Sequence, residues 1–357
     1  MGKIKIGLIG CGGVAFWAHI PILLQFDDIE VVAVCDIIKE RAENAAKRLN
    51  SSYVFTDYKE LIALKELDMV DICTPNYMHS AIAVDALNAG KNVFCEKPDA
   101  IAVEQVIAMK TAAEQSGKHL MVMRNNRFVP ESKYAKKFIE SGSCGDIYAG
   151  RCGWTRRRGI PGKGGWFTTK EQSGGGPLID LGVHMLDLAI WLMGNPTPVT
   201  VSGSIYNKFA SNETDSDSFH AGFGEVKESG VFDVEDLAIG MIRFDNGACL
   251  HVECSWASNI EKERAFVELR GDKAGLTWDW DGLAIYTENL NSLADIRPVI
   301  DRPASDIIGH TENLRHFIYD VLIGGKEPMF KPIQGVNMVK VLTALYESAK
   351  LGKEISL

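Results

Sequence analysis

Asp180 and His184 stand four positions apart in GGGPLIDLGVHMLDL, residues 174–188, an otherwise apolar stretch with a helical period. Residues at that spacing are neighbours on a helix face, so a carboxylate and an imidazole can project together into one cavity. An imidazole, with a reference pKa near ~6.5, can take a hydroxyl proton and return it near neutral pH. A carboxylate one turn away can orient the ring or hydrogen-bond a second hydroxyl. A satisfied structural pair is the competing reading, and Asp187 competes with Asp180 for the ring. Lys97, within CEKPDA at 95–100, adds a cation where a strand ends.

A second group of residues suits a nucleotide. The first strand runs into GLIGCGGVA, where Gly10, Gly12 and Ala15 satisfy GxGxx[G/A] and Cys11, Gly13 and Val14 complete the loop. Gly10 permits a tight turn, Gly12 lets backbone approach a pyrophosphate, and small Ala15 lets the next helix pack closely. The N–H groups at that helix start can then hold the anion. Asp36 ends the second strand, where a carboxylate accepts ribose hydroxyls. Its charge repels a 2′-phosphate, so NAD is expected over NADP, although Lys39 and Arg41 follow closely. CTPNYMHS at 73–80 supplies Thr74, Pro75, Asn76 and His79 at another strand end, and CEKPDA supplies Glu96 and Lys97. Strand-ending prolines and a helix-starting His79 account for much of these segments, but not for Lys97.

The elements that position these residues fall into two halves. To about Met123, apolar runs (IKIGLIG, IEVVAVCD, YVF, MVDICTP, NVFCEKP, HLMVM) alternate with amphipathic stretches. That rhythm predicts a doubly wound parallel sheet with ligands at the carboxyl ends of its strands. After Asn125, one helix and the strand DIYAGRCGWTRR precede the glycine-rich connector, the opening helix, and the strands VTVSGSI, LAIGMIRF, ACLHVECSWA, AFVELRG and LAIYTE. The turns FDNGA and RGDKAG suit hairpins, predicting an open, mainly antiparallel sheet with helices on one face. The fold class is therefore α/β plus α+β. The domains are expected at 1–123, binding NAD, and 124–357, binding substrate and forming a homodimer or homotetramer through its sheet. Residues 211–236, acidic and aperiodic, read as a surface excursion.

A net charge of −9, from 38 basic and 47 acidic residues, argues against nucleic acid and anionic membranes. No uninterrupted apolar run reaches the ~18 residues of a membrane span, and the N-terminus lacks a secretory pattern, so a cytoplasmic location is expected. Eight cysteines without CxxC pairs, four of them (Cys11, Cys35, Cys73, Cys95) at strand ends, read as buried thiols. No metal is expected. His310 and His316 with Glu312 lack convincing ligand spacing.

In combination, GxGxxA, TPNxxH, EKP and GGxxxDxGxHxxD resemble the glucose-fructose oxidoreductase, inositol dehydrogenase and MocA family over nearly the whole chain. The resemblance implies a Rossmann domain and NAD(P)-dependent oxidation or reduction at a secondary hydroxyl of a sugar, cyclitol or glycoside. It implies catalytic roles for Lys97, Asp180 and His184. It places cofactor contacts on Gly10, Gly12, Asp36, Thr74, Asn76, His79 and Glu96. It also puts RNNRF at 124–128 in the crossover between domains, where Arg124 and Asn126 are expected to reach substrate. His184 is then the base, Lys97 stabilises alkoxide character, and Asp180 orients the ring or a neighbouring hydroxyl. The helix is expected to face the nicotinamide, the glycines before it letting backbone and substrate come close.

Arg156, Arg157 and Arg158, with Lys163 and Trp166, read equally as a pocket for a glycoside or carboxylated sugar and as a solvated strand end or subunit arm. Trp17 and Trp154 are candidates for stacking on a sugar face or for ordinary core. The leading function is a dehydrogenase oxidising a ring hydroxyl, such as that at carbon 3. The alternatives are an NAD-using glycosidase acting by oxidation and elimination, and a non-catalytic nucleotide sensor.

Overall fold

The computed structural model describes residues 2–210 and 222–357. The expected excursion at 211–236 therefore lies outside the described residues as far as position 221. The chain forms two compact units, 1–123 with 306–336 and 124–305 with 337–357. The segment 306–336, assigned from sequence to the second domain, packs into the first. There Phe317 and Ile318 are fully buried, and the Phe317 ring lies 5.5 Å from that of Phe94.

The first unit is a six-stranded parallel sheet of β1 (Ile4–Ile9), β2 (Ile29–Cys35), β3 (Tyr53–Phe55), β4 (Met69–Ile72), β5 (Asn92–Cys95) and β6 (Leu120–Val122). Their order is β3-β2-β1-β4-β5-β6. Every residue of β4 is buried, as expected of a strand covered on both faces. The order reverses at β1, which pairs with both β2 and β4, and this switch point opens the crevice where such sheets bind nucleotides. The helix Lys39–Leu49 buries Ala42, Ala45 and Ala46 and stops where Asn50 turns left-handed at φ 54°.

The second unit is a nine-stranded sheet built from β7 (Ile147–Thr155), β8 (Pro198–Tyr206), β9 (Leu237–Phe244), β10 (Cys249–Ser255), β11 (Arg264–Gly271), β12 (Ala274–Asp279), β13 (Gly282–Asn289), β14 (Ser292–Ile296) and β15 (Ile355–Ser356). Its order is β14-β13-β12-β11-β7-β10-β9-β8-β15. All pairings are antiparallel except β7 with β10. Sequence patterning passed over β12, β14 and β15; RGDKAG joins β11 to β12, not to β13. The stretch Lys170–Leu192 is long and apolar enough to cross a membrane, yet 83% of its most apolar window is buried inside the protein. It serves as a core helix of this unit.

Candidate active site

In the first unit, the end of β1 is shaped by three glycines with different jobs. Gly10 has φ 91°, and a Cβ there would lie 2.6 Å from the Cys73 carbonyl carbon and 2.7 Å from the Thr74 nitrogen. Both conformation and crowding therefore exclude a side chain. Gly12 and Gly13 have nothing within 4 Å of the same position, so the loop leaves an open cradle. Ala15 is fully buried behind it.

Asp36, expected to accept ribose hydroxyls, already braces this loop. Its Oδ2 accepts from the Cys11 N–H and its Oδ1 from the Ile38 N–H, both at 2.8 Å. Each oxygen keeps a further lone pair for a hydroxyl. Thr74 Oγ1 is buried without a hydrogen-bond partner among the described residues, and a bound polar group would satisfy it. An open cradle, a carboxylate at the second strand end and an orphaned hydroxyl together fit a dinucleotide.

Two expected cofactor contacts prove to be internal struts. His79 is fully buried and faces two carbonyl oxygens, Pro98 at 2.7 Å from Nδ1 and Thr74 at 2.8 Å from Nε2. It ties the TPN and EKP strand ends together, and burial lowers its pKa. Glu96 is 5% exposed; its Oε1 lies 2.9 Å from His19 Nε2, and its Oε2 accepts the Lys97 N–H at 3.1 Å. Pro75 and Asn76 follow Thr74, and Asn76 is buried.

His19 was missed in the sequence. It is fully buried, with Nδ1 2.7 Å from Asp71 Oδ2 while Nε2 meets Glu96. Burial alone would depress its pKa, but the charge of Asp71 and the bond to it hold it well above the ordinary histidine range. Burial would likewise raise Glu96, yet the His19 bond and charge bring it down to about 2. The result is a buried imidazolium between two carboxylates. His19, Asp71 and Cys73 also place ligand atoms within 4.8 Å of one another, but both imidazole nitrogens already face carboxylates. The three residues weighed as a metal set diverge. His310 stacks edge-on against Trp17 at 5.2 Å, and burial lowers its pKa to about 4. His316 bonds Asp320 and accepts the Met329 N–H, while Glu312 pairs with Arg315. All eight cysteines are free thiols, seven of them buried.

In the second unit, Asp180 and His184 are both half-buried on the helical stretch 178–192. The turns Leu178–Gly182 are wide, of π type, before the α-helix Val183–Leu192 begins. Trp256 Nε1–H donates to Asp180 Oδ2 at 2.9 Å, and Trp256 is fully buried. His184 Nδ1 lies 3.1 Å from Asn125 Oδ1. Neither Trp256 nor Asn125 was anticipated. Asp187, the rival partner for the imidazole, is instead gripped by Arg127 at 2.7 and 2.6 Å and pairs with Arg124 at 2.8 Å. Arg124 is 3% exposed, so this expected substrate contact serves as an anchor for the helix; Asn126 is half-buried beside it.

The glycines before the helix admit close neighbours, and those neighbours are protein groups. A Cβ on Gly175 would stand 2.0 Å from the Tyr346 hydroxyl, and one on Gly176 would stand 2.0 Å from the Glu235 carbonyl oxygen. Glu235 in turn accepts from the N–H groups of Gly176 and Leu178 and from the Tyr346 hydroxyl, at 2.9 to 3.1 Å. The glycines admit this buried brace, and no approach by substrate is needed to explain them.

Trp154, at the end of β7, lies 6.0 Å from the His184 ring, and Arg156 sits over its face at 5.2 Å. Arg158 bonds the Ser258 carbonyl and Asn259, and Arg157 reaches the Glu261 carbonyl. The arginine cluster therefore divides, with Arg156 over the indole that neighbours the imidazole and Arg157 and Arg158 tied to the adjoining segment. Trp166 stacks on Phe167.

Residues 4–124 match the family described as "Oxidoreductase family, NAD-binding Rossmann fold", and residues 132–277 match "GFO/IDH/MocA C-terminal domain". The chain is 34% identical to the D-glucoside 3-dehydrogenase of Escherichia coli (strain K12), over 99% of this chain and 97% of that one. It is 30% identical to the levoglucosan dehydrogenase of Pseudarthrobacter phenanthrenivorans, over 79% and 75%. An oxidoreductase domain protein from Kribbella flavida superposes with a TM-score of 0.86 at 25% identity, covering 100% of this chain and 99% of that one.

Proposed function

The chain belongs to the GFO/IDH/MocA oxidoreductase family, and from that premise we propose that it is an NAD-dependent dehydrogenase of glycosides, oxidising a secondary ring hydroxyl at carbon 3. The observation that carries the reading is the His184–Asn125 pair. Because the Asn125 oxygen accepts, Nδ1 bears the proton and the basic lone pair lies on Nε2, the atom that takes the hydroxyl proton. NAD, held by the Gly12–Gly13 cradle and Asp36, would supply the acceptor for the hydride of the carbinol carbon. Asp180, held by Trp256, orients a neighbouring hydroxyl, and the Lys97 ammonium stabilises alkoxide character on the reacting oxygen. Gly12 and Gly13 admit the pyrophosphate, and Asp36 takes the ribose hydroxyls and disfavours NADP. The similarity to D-glucoside 3-dehydrogenase supports the substrate class and the position.

The test is to incubate the purified protein with NAD and a panel of glucosides, free sugars and inositols, following reduced nicotinamide by absorbance and products by mass spectrometry. A 3-keto glucoside formed with NADH is the expected result. Free sugar and aglycone without net NADH would point instead to oxidation and elimination. A homodimer or homotetramer through the second unit's sheet and a cytoplasmic location accompany the reading, and light scattering and cell fractionation test them.

A further inference from the structure

Trp280 lies in the turn between β12 and β13 and is 47% exposed. An indole face left in water can stack on a ring brought to it. The Trp280 ring meets Trp154 edge-on, with centroids 5.8 Å apart at 84°. Trp154 in turn lies 6.0 Å from His184 and carries Arg156 over its face. Its Nε1 is buried with no hydrogen-bond partner among the described residues, a donor that an incoming oxygen would satisfy. Two indoles and a guanidinium thus adjoin one another through Trp154, which neighbours His184, all within the second unit.

We propose that Trp280, with Trp154 and Arg156, forms a distal subsite that stacks the ring of a glycoside's aglycone. The proposal rests on the glycoside reading given above. Trp154 neighbours both rings, His184 at 6.0 Å and Trp280 at 5.8 Å, each step comparable with the width of a pyranose. A sugar ring presented to His184 therefore leaves its aglycone at Trp280. Indole faces take flat or CH-rich rings, and the Arg156 guanidinium offers donors to the oxygens linking the two. The subsite selects glycosides with a cyclic aglycone over those with a small one.

Initial rates with phenyl glucoside and methyl glucoside, for the wild type, Trp280→Ala and Trp280→Phe, test this. Trp280→Ala is expected to raise KM for phenyl glucoside about three- to tenfold with little change in kcat, to erase the preference over methyl glucoside, and to be largely rescued by Phe. Equal effects on the two glucosides, or none, would overturn the subsite. Calorimetric binding of phenyl glucoside separates this proposal from the dehydrogenase reading. If no sugar is oxidised but binding weakens three- to tenfold in Trp280→Ala, the subsite stands and the reaction is wrong. If phenyl glucoside does not bind the wild type, the subsite is wrong.

Discussion

His184 presents Nδ1 to the side-chain oxygen of Asn125 at 3.1 Å, so its orientation comes from a neutral amide. An amide oxygen can only accept, so it favours one tautomer of the ring while adding no charge of its own. Under the proposed role of His184 as base, His184→Ala is expected to lower kcat by about 100-fold or more, and Asn125→Ala by about tenfold, with thermal unfolding little changed in either. Reduced-nicotinamide absorbance and circular dichroism measure the two sides. Wild-type turnover in His184→Ala would remove His184 from the chemistry.

Gly10 and Gly12 should separate folding from nucleotide binding. A side chain at Gly10 collides with Cys73 and Thr74 backbone at positive φ, so Gly10→Ala is expected to destabilise by about 2 kcal/mol or more. Gly12→Ala meets no protein atom within 4 Å and should unfold like the wild type while losing NAD affinity at least tenfold. Calorimetric NAD titration beside denaturant unfolding reads both; intact NAD binding in Gly12→Ala would mean that the cradle holds something else.

Asp36 braces Cys11 and Ile38 and, in the proposed function, receives ribose as well. Asp36→Ala should therefore weaken NAD binding about 10- to 100-fold and narrow the gap between NAD and NADP, with a modest stability loss from two deprived N–H groups. Titrations with each nucleotide check the ratio. An unchanged ratio would take Asp36 out of cofactor choice.

The His19 cluster predicts a pH signature. Because the folded pKa of His19 is raised, its contribution is complete below about pH 6.5 and is lost as the pH climbs through that raised value. Glu96, depressed from 4.5 to about 2, contributes above pH 4.5 and ceases to as the pH falls toward 2. His19→Leu leaves two buried carboxylates without their cation and should cost about 3–5 kcal/mol, most visibly between those limits and less in alkali. Urea unfolding from pH 4 to 10 measures the gap. A gap independent of pH would mean that His19 is buried neutral.

The parallel sheet was readable because each strand is a short apolar run that contacts its neighbours through backbone, and the glycine motif was readable because turn geometry is local. β12 and β14 were obscured because GLTWD and SLADI are brief and mixed, and β14 is mostly exposed. The site was legible only where its partners are near in sequence. Spacing brought out Asp180 and His184, but Asn125 and Trp256 reach them from 59 and 76 residues away. His19 bonds Asp71 and Glu96 across 52 and 77 residues. A signal did exist: Asp71 interrupts the apolar run MVDI, and a carboxylate inside a fully buried strand requires a donor.

Tyr346 bonds the carboxylate of Glu235 that clasps the start of the helix bearing Asp180 and His184. During synthesis, that helix would leave the ribosome long before its clasp is complete. The maturing polypeptide would gain that tyrosine's grip on the helix start only after residue 346 emerges, so the seating of the imidazole is settled late in synthesis.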